Sequence, residues 1–152
     1  MSLRIKTLPI VYVIIFSALM YGCTLLFPEN NLNFEGSWQF ALAVFTLGLI
    51  LIATGGIQFR RAGTTVNPMT PGNSSSLVMT GIYAYSRNPM YVGFLLFLIA
   101  VAIVVANIVA LVFLPLFVLA MNYLQIQPEE NALEDLFGEE YRQYRKRVRR
   151  WL

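Results

Sequence analysis

The hydrophobic positions of the chain fall into long uncharged runs separated by short polar segments. Residues 8–27 and 38–57 carry no charge, and each run is about as long as the roughly 20 residues that a helix needs to cross a bilayer. Residues 88–128 are also uncharged, but this stretch is too long for one crossing and divides naturally near Asn107. The two resulting segments are 91–106 and 108–126. The pattern therefore predicts four membrane-spanning helices.

The tail of the chain has a different, amphipathic pattern. Its apolar side chains recur every three or four residues, which is typical of a helix with one apolar face. These positions are Leu133, Phe137, Tyr141, Tyr144, Val148 and Trp151. We expect Gly138 to interrupt this helix and its basic second half to lie along an anionic membrane surface. The predicted fold class is an all-α integral membrane protein with about four transmembrane helices and an amphipathic C-terminal helix at the cytoplasmic face.

Length and composition agree with this picture. The chain has 152 residues, 57% hydrophobic and 12% charged, whereas soluble domains average about 25% charged residues. One domain is expected over 1–152. Its parts are two N-terminal spans (1–57), a cytoplasmic loop (58–89), a helical hairpin (90–127) and the C-terminal amphipathic helix (128–152). The Gly-, Pro-, Asn- and Ser-rich part of the loop is either a linker or a lid.

The placement of positive charge predicts the orientation. All 11 Lys and Arg residues lie before the first run, between the second and third, or after the fourth. Lys and Arg accumulate on the cytoplasmic side of membrane proteins, so both termini are expected to be cytoplasmic. The expected location of the protein is the cytoplasmic membrane of a prokaryote. A cleaved signal peptide is disfavoured, because Tyr21 is bulky and the apolar run continues past Cys23.

Some chemistries are disfavoured by composition. Histidine is absent, which removes the commonest general base and the commonest metal ligand. The single Cys23 provides no thiolate cluster for zinc. We therefore expect no metal and no nucleic-acid partner, and we expect membrane lipids around the chain.

Polar groups at one membrane face are the candidates for chemistry. Arg87 precedes the long uncharged stretch, and the pair Glu129-Glu130 ends it. A carboxylate near hydrocarbon requires a cation or hydrogen-bond donors, so either Arg87 or a cationic ligand is expected to pair with one glutamate. A structural role is equally open, because carboxylates that follow Pro128 suit the start of a helix.

From about Ala62 onward, several motifs occur in a recognisable order. They are Ala62-Gly63-Thr64-Thr65-Val66, Leu77-Val78, Gly81-Ile82-Tyr83, Arg87-Asn88-Pro89-Met90-Tyr91-Val92-Gly93, Glu129-Glu130 and Phe137-Gly138-Glu139-Glu140-Tyr141. In order and spacing the chain resembles the isoprenylcysteine carboxyl methyltransferase and phospholipid methyltransferase group of integral membrane enzymes. The first two spans carry no comparable signature.

The resemblance implies an S-adenosyl-L-methionine-dependent transfer of a methyl group to a membrane-embedded or lipophilic acceptor, which is a small molecule or a lipidated substrate. It implies no identified catalytic residue, and it makes Gln125 a candidate substrate contact. The implied cofactor-binding residues are Ser75, Leu77, Val78, Gly81, Tyr83, Arg87, Asn88, Pro89, Met90, Tyr91, Glu129 and Glu130.

Two departures from the family pattern keep alternatives open. Asn88 stands where the family usually has histidine, and Gln125 stands where the carboxyl methyltransferases carry an arginine that is thought to contact the substrate carboxylate. Asn88 can still donate and accept hydrogen bonds, but it cannot carry charge. The alternatives are a methyltransferase-like membrane protein whose site has decayed and an enzyme that resembles the NADPH-dependent sterol reductases.

Overall fold

A computed structural model describes residues 8–32, 37–63 and 76–152. This part of the chain is helical, with short 3₁₀ turns, one π turn and no strand beyond an isolated bridge between Asn31 and Asn107. The α-helices are α1 (Pro9–Leu26), α2 (Ser37–Arg61), α3 (Pro89–Val105), α4 (Phe113–Met121), α5 (Gln127–Phe137) and α6 (Glu139–Arg147).

Within the described residues, three helical segments are long and apolar enough to cross a membrane: Pro9–Leu26, Ser37–Arg61 and Val109–Phe137. The fourth, Pro89–Val105, is apolar but has only 17 residues, a length of about 25 Å. It begins within the predicted motif, because Pro89 suits the first turn of a helix. Large apolar side chains on α1 and α2 are exposed, including Ile14, Leu26 and Phe40. The predicted all-α integral membrane fold is confirmed.

The last membrane segment continues past the point where the sequence pattern ends it. α4 passes through a π turn, Asn122–Ile126, directly into α5. Pro128 lacks an N–H and its ring crowds the carbonyl of Leu124, four residues earlier. The wider π turn lies immediately before Pro128, at the place where this crowding must be accommodated. Glu129 therefore lies inside a continuous helical segment and does not start a separate helix.

The tail after this segment folds as predicted at Gly138. This residue has a φ of 53° and separates α5 from α6. Such a positive φ is readily adopted by glycine. The amphipathic tail is consequently two short helices, which lets α6 turn back toward the start of α3.

α2 and α3 form the most extensive helix pair of the described chain. They pack closely at Gly48 and Gly93, where a Cβ on either glycine would lie 2.8 Å from the carbonyl oxygen of the other. Small residues allow helix backbones to approach in this way. The close contact places the C-terminal end of α2 beside the N-terminal end of α3, where the predicted motif begins.

The opposite ends of the helices are joined at Asn107, the predicted turn between the third and fourth spans. Asn107 is 2% exposed. Its side-chain nitrogen donates to the carbonyl oxygen of Phe27 (3.0 Å) and to Oδ1 of Asn31 (2.7 Å), and its Oδ1 accepts from the backbone N–H of Val109 (2.9 Å). One side chain therefore ties three segments together, and the predicted turn is confirmed.

Candidate active site

A short 3₁₀ turn, Gly81–Ala84, carries the predicted Gly-Ile-Tyr motif. Gly81 has a φ of 60°, and a Cβ at this position would collide with the side chain of Gln58 on α2. In the orientation that its neighbours require, the Gln58 amide donates to the carbonyl oxygen of Thr80 (2.8 Å) and accepts from the N–H of Ile82 (3.2 Å). Glycine is needed here for two reasons, its left-handed backbone and the space it leaves.

The tail of the chain docks onto this motif. The hydroxyl of Tyr144 donates to the carbonyl oxygen of Tyr83 (2.7 Å), and the backbone N–H of Arg87 donates to the carbonyl oxygen of Arg149 (3.0 Å). Burial raises the pKa of Tyr144 above its usual range. These bonds join residues that are far apart in the sequence.

Two further bonds complete the docking of the tail. The side-chain nitrogen of Asn88 donates to the carbonyl oxygen of Arg150 (2.9 Å), and the indole N–H of Trp151 donates to Oδ1 of Asn122 (3.0 Å). The expectation that the whole basic end lies on the membrane surface is therefore wrong for Arg150 and Trp151. Arg145, in contrast, is exposed and pairs with Glu134 on the surface.

Glu130 lies at the centre of this arrangement and is 5% exposed. Arg87 pairs with it through Nη2 and Oε1 at 2.8 Å. Arg150 donates to both carboxylate oxygens, from Nε to Oε1 (3.0 Å) and from Nη2 to Oε2 (2.6 Å). Hydrogen bonding to this carboxylate raises the pKa of Arg150. Arg87, one of the two partners that the sequence offered for the glutamate pair, is thus one of two arginines that pair with Glu130.

Glu129 has different surroundings. Its Oε1 accepts a hydrogen bond from the hydroxyl of Tyr91 at 2.5 Å. Within the described part of the chain, no Lys or Arg forms an ion pair with this carboxylate. The two adjacent glutamates thus have different surroundings. Glu130 is neutralised by arginines, whereas the carboxylate of Glu129 has no basic partner among the described residues and faces the space beside it.

That space is a cavity of about 50 Å³. Seven of its lining residues are among those predicted from the sequence: Leu77, Val78, Tyr83, Arg87, Asn88, Glu129 and Glu130. Five others complete the lining: Phe59, Ser76, Leu133, Tyr141 and Tyr144. The structure therefore brings together the loop, the start of α3, α5 and α6 around one partly charged cavity.

The remaining predicted residues have other positions. Pro89 starts α3, Met90 packs beside Gly55 of α2, and Tyr91 reaches the cavity through Glu129. Gln125 is buried in the π turn and is not among the lining residues in the described part of the chain. Ser75 lies outside the described residues.

Arg150 is the main site residue that sequence reasoning missed. A run of basic residues predicts a solvated or membrane-facing tail, and the pattern does not distinguish the one arginine that turns inward. Tyr141 and Tyr144 were visible as part of the apolar stripe. Tyr141 is 2% exposed, which agrees with a packed position and not with a membrane-surface position, and this burial raises its pKa to about 12.

A larger groove of about 390 Å³ lies between α2 and α3, at the ends of these helices away from the charged cavity. Its walls are apolar and include Trp38, Phe45, Phe97 and Val104. Among the described residues, those that line it are all apolar or aromatic, so these walls provide a surface for hydrocarbon chains. The smaller charged cavity is the candidate active site.

Comparison with known proteins indicates the family of the chain. Residues 37–140 match the phospholipid methyltransferase family. The protein-S-isoprenylcysteine O-methyltransferase of Schizosaccharomyces pombe is 32% identical over 124 residues, which are 80% of this chain and 52% of that protein. Its namesake from Saccharomyces cerevisiae is 32% identical over 137 residues, which are 81% of this chain and 54% of that protein.

A plant relative gives a similar result. Protein-S-isoprenylcysteine O-methyltransferase B of Arabidopsis thaliana is 29% identical over 110 residues, which are 72% of this chain and 56% of that protein. The chain spans about half the length of these curated relatives. The family match covers most of the chain and includes the motif at Arg87 and the glutamate pair. The chain belongs to the phospholipid methyltransferase family.

Proposed function

We propose that the protein is a small integral-membrane methyltransferase that uses S-adenosylmethionine to methylate a lipophilic acceptor. The observation that carries this proposal is the cavity at Glu129, whose carboxylate has a tyrosine donor and no basic partner among the described residues. S-adenosylmethionine has an ammonium group and ribose hydroxyls, which such a carboxylate is suited to bind. Family membership supports the same reaction class.

The fit concerns charge and residue type, since the cavity itself is small. At about 50 Å³ it falls below the roughly 300 Å³ at the lower end of ligand pockets. Binding of the whole cofactor therefore requires the lining side chains to move. Leu77, Val78 and Tyr83 provide apolar and aromatic surface against which an adenine ring would lie.

The proposed reaction makes modest demands on the protein. The cofactor supplies a methyl group that the positive sulfur has already activated. When bound, the cofactor would supply this methyl group, with its sulfur keeping the electron pair of the broken bond, and the acceptor would supply the electron pair for the new bond. Orientation of the two reactants alone can lower the free-energy barrier by about 7–11 kcal/mol. This chemistry agrees with a chain that contains no histidine, provided that the acceptor is a carboxylate, thiolate or amine.

We propose a membrane-embedded or lipidated acceptor that enters from the bilayer, while the cofactor enters from the cytoplasm. Relatives whose names specify isoprenylcysteine O-methylation support a lipidated acceptor. The buried Gln125, in place of an arginine, argues against a carboxylate held by a cation at that position. Incubating membrane extracts with isotopically labelled S-adenosylmethionine and identifying the labelled product by mass spectrometry would name the acceptor class.

The proposed location is the cytoplasmic membrane of a prokaryote, with both termini in the cytoplasm. The distribution of all 11 Lys and Arg residues supports the orientation. An impermeant thiol reagent applied to intact cells should label Glu29→Cys, which lies on the opposite side, and should leave Leu152→Cys unlabelled. The reverse pattern would refute the orientation.

The proposed activity is tested first by binding. S-adenosylhomocysteine is titrated by calorimetry into protein purified in detergent, and NADPH is titrated in parallel. Binding of S-adenosylhomocysteine supports the proposal, and an absence of binding up to millimolar ligand refutes it. Binding of NADPH alone would favour the reductase alternative. Binding of S-adenosylhomocysteine without turnover on any lipid or thiol would favour a decayed site.

A further inference from the structure

α5 and α6 form a hairpin whose second helix returns toward the membrane. α5 has 11 residues and α6 has 9 residues, which correspond to lengths of about 16 and 14 Å. Gly138 separates the two helices. Arg142 and Arg145 of α6 both pair with Glu134 of α5 across the turn. The end of α6 therefore lies near the level at which α5 begins, just after the π turn.

The residues that follow α6 define this level more closely, and we call residues 148–152 the strap. The carbonyl oxygen of Arg149 accepts from the N–H of Arg87, which lies two residues before the start of α3. The indole N–H of Trp151 donates to Asn122 in the π turn, and its ring packs against the apolar core. Because α3 begins its membrane crossing here, the strap lies at the membrane surface, where tryptophan is common.

Charge is distributed unevenly along α6. Its first turn is acidic, with Glu139 and Glu140, and its last turn is basic, with Arg145, Lys146 and Arg147. An isolated helix favours the same order, because acidic residues suit its N-terminus and basic residues suit its C-terminus. The hairpin adds a second consequence. It places the basic end at the membrane surface and the acidic end about 14 Å away from it.

The basic residues of the tail fall into two groups. Arg142 and Arg145 pair with Glu134. Arg150 pairs with Glu130. The other three are exposed and form no ion pair with a carboxylate among the described residues, and they are Lys146, Arg147 and Arg149. Three positive charges thus lie close together at the membrane surface, and the described part of the chain supplies no carboxylate for them.

We propose that Lys146, Arg147 and Arg149 form an interaction surface for the phosphates of anionic phospholipid headgroups. The partner follows from charge and position, because these side chains lie where a bilayer presents its headgroups. Each Lys or Arg near an anionic membrane surface strengthens the association roughly fivefold. Since Arg149 belongs to the strap, this contact also keeps the strap docked on Arg87 and Asn88. The inference goes beyond the proposed function and does not depend on it, since no methyl donor takes part.

The test uses Trp151 as a reporter of the lipids beside the strap. Trp38→Phe leaves Trp151 as the one tryptophan of the chain. This protein is reconstituted in bilayers of equal parts phosphatidylglycerol and phosphatidylcholine, with bromine atoms, which quench tryptophan fluorescence at short range, on one lipid or on the other. Brominated phosphatidylglycerol should quench at least about twofold more strongly than brominated phosphatidylcholine, and added salt should lower this ratio. Equal quenching by the two lipids overturns the proposal.

Variants in the same background assign the contact to residues. Lys146→Gln/Arg149→Gln should bring the quenching ratio close to that of two equivalent lipids. Arg142→Gln/Arg145→Gln is the matched control, because it removes the same total charge from residues that pair with Glu134, and it should keep most of the ratio. An equal fall in both variants would mean that only net charge matters, which refutes the assigned residues. Loss of the ratio on adding inorganic phosphate at constant ionic strength would indicate a free-ion site and refute a headgroup surface.

Docking of the strap is measured separately by hydrogen exchange. The N–H of Arg87 donates to the carbonyl oxygen of Arg149, so detachment of the strap exposes this N–H to exchange. Its exchange should be severalfold slower in the mixed bilayers than in phosphatidylcholine alone, and Lys146→Gln/Arg149→Gln should abolish the difference. Both substituted side chains are exposed, so the variant should melt as the wild type does in detergent. Identical exchange of the wild-type N–H in the two bilayers refutes the docking of the strap by lipid.

Discussion

Arg87 and Arg150 contact the same oxygen atom, Oε1 of Glu130, at 2.8 and 3.0 Å. Two guanidinium groups are thus held close together by a single carboxylate. A backbone hydrogen bond joins the same two parts of the chain, since the N–H of Arg87 donates to the carbonyl oxygen of Arg149. The contact joins the start of α3 to the tail and makes Glu130 primarily a structural residue of the site.

Glu130→Gln should therefore act on stability. It keeps the size of the side chain but leaves the two arginines without a neutralising charge. Breaking a buried ion pair costs about 3–5 kcal/mol, and we expect a value near 3 kcal/mol because Arg150 is partly exposed. The melting temperature in detergent should fall clearly below that of the wild type. An unchanged melting temperature would contradict the structural role.

Glu129→Gln should have the complementary effect. Its carboxylate has no basic partner in the described chain and bonds to Tyr91, so the fold should tolerate the amide. Loss of one charge-assisted hydrogen bond to a ligand should cost about 1.5–3 kcal/mol, or roughly tenfold or more in affinity for S-adenosylhomocysteine. Calorimetry measures the affinity, and the loss should be larger in Glu129→Gln than in Glu130→Gln. Equal affinity in Glu129→Gln and wild type would remove Glu129 from the site.

Substitutions of Asn88 test the contact between the motif and the tail. Asn88→Leu removes the donor to the carbonyl oxygen of Arg150. The free energy of unfolding should fall by about 1–3 kcal/mol, which lowers the melting temperature, and the cofactor affinity should fall as well. Asn88→His restores the usual family residue and a donor, and it should be tolerated in both measurements. A folded Asn88→Leu protein with wild-type affinity would mean that the pocket lies elsewhere.

Gly81→Ala tests the shape of the 3₁₀ turn. The positive φ of Gly81 costs a side-chain-bearing residue about 1–2 kcal/mol, and the added methyl group would displace Gln58 from its bonds to Thr80 and Ile82. We expect a lower melting temperature and weaker cofactor binding. Gly56→Ala is the control, because a Cβ there meets open space within α2. It should be neutral or stabilising by up to about 1 kcal/mol.

Asn107→Ala should reduce stability without affecting the site. The change removes the donor to Phe27 and Asn31 and the acceptor for Val109 in a buried position. Unpaired buried groups cost about 1–3 kcal/mol each, so the melting temperature should fall markedly. Cofactor affinity of the folded fraction should be unchanged, since Asn107 lies at the other ends of the helices. Asn30→Ala, which loses only an exposed bond to Glu29, should remain within about 0.5 kcal/mol of wild type.

Much of the fold was predictable, because bilayer crossing requires long uncharged runs. α1 and α2 follow from such runs, and the turn at Asn107 and the break at Gly138 follow from residue type. The continuation of the last span through Pro128 was not predictable in the same way. A proline followed by two glutamates looks the same at the start of a new helix as after a π turn, and only packing decides between them.

The sequence predicted which residues form the site better than it predicted what each of them does there. Motif resemblance named seven residues that line the cavity, including Arg87 and both glutamates. Which glutamate is neutralised depends on the direction of each side chain around α5 and on the return of Arg150. Both are long-range effects that local pattern does not contain. That these residues bind a cofactor stays a prediction.

The docking of the tail also imposes an order on biosynthesis. Translation delivers Arg87 and Glu130 before Arg150, so for a period the nascent chain holds a glutamate that has only one of its two arginines. Chains are made at roughly 5–20 residues per second, which puts Arg150 on the order of seconds behind Glu130. The cavity lined by Arg87 and the two glutamates therefore gains its full set of described ion pairs only after Arg150 has been made.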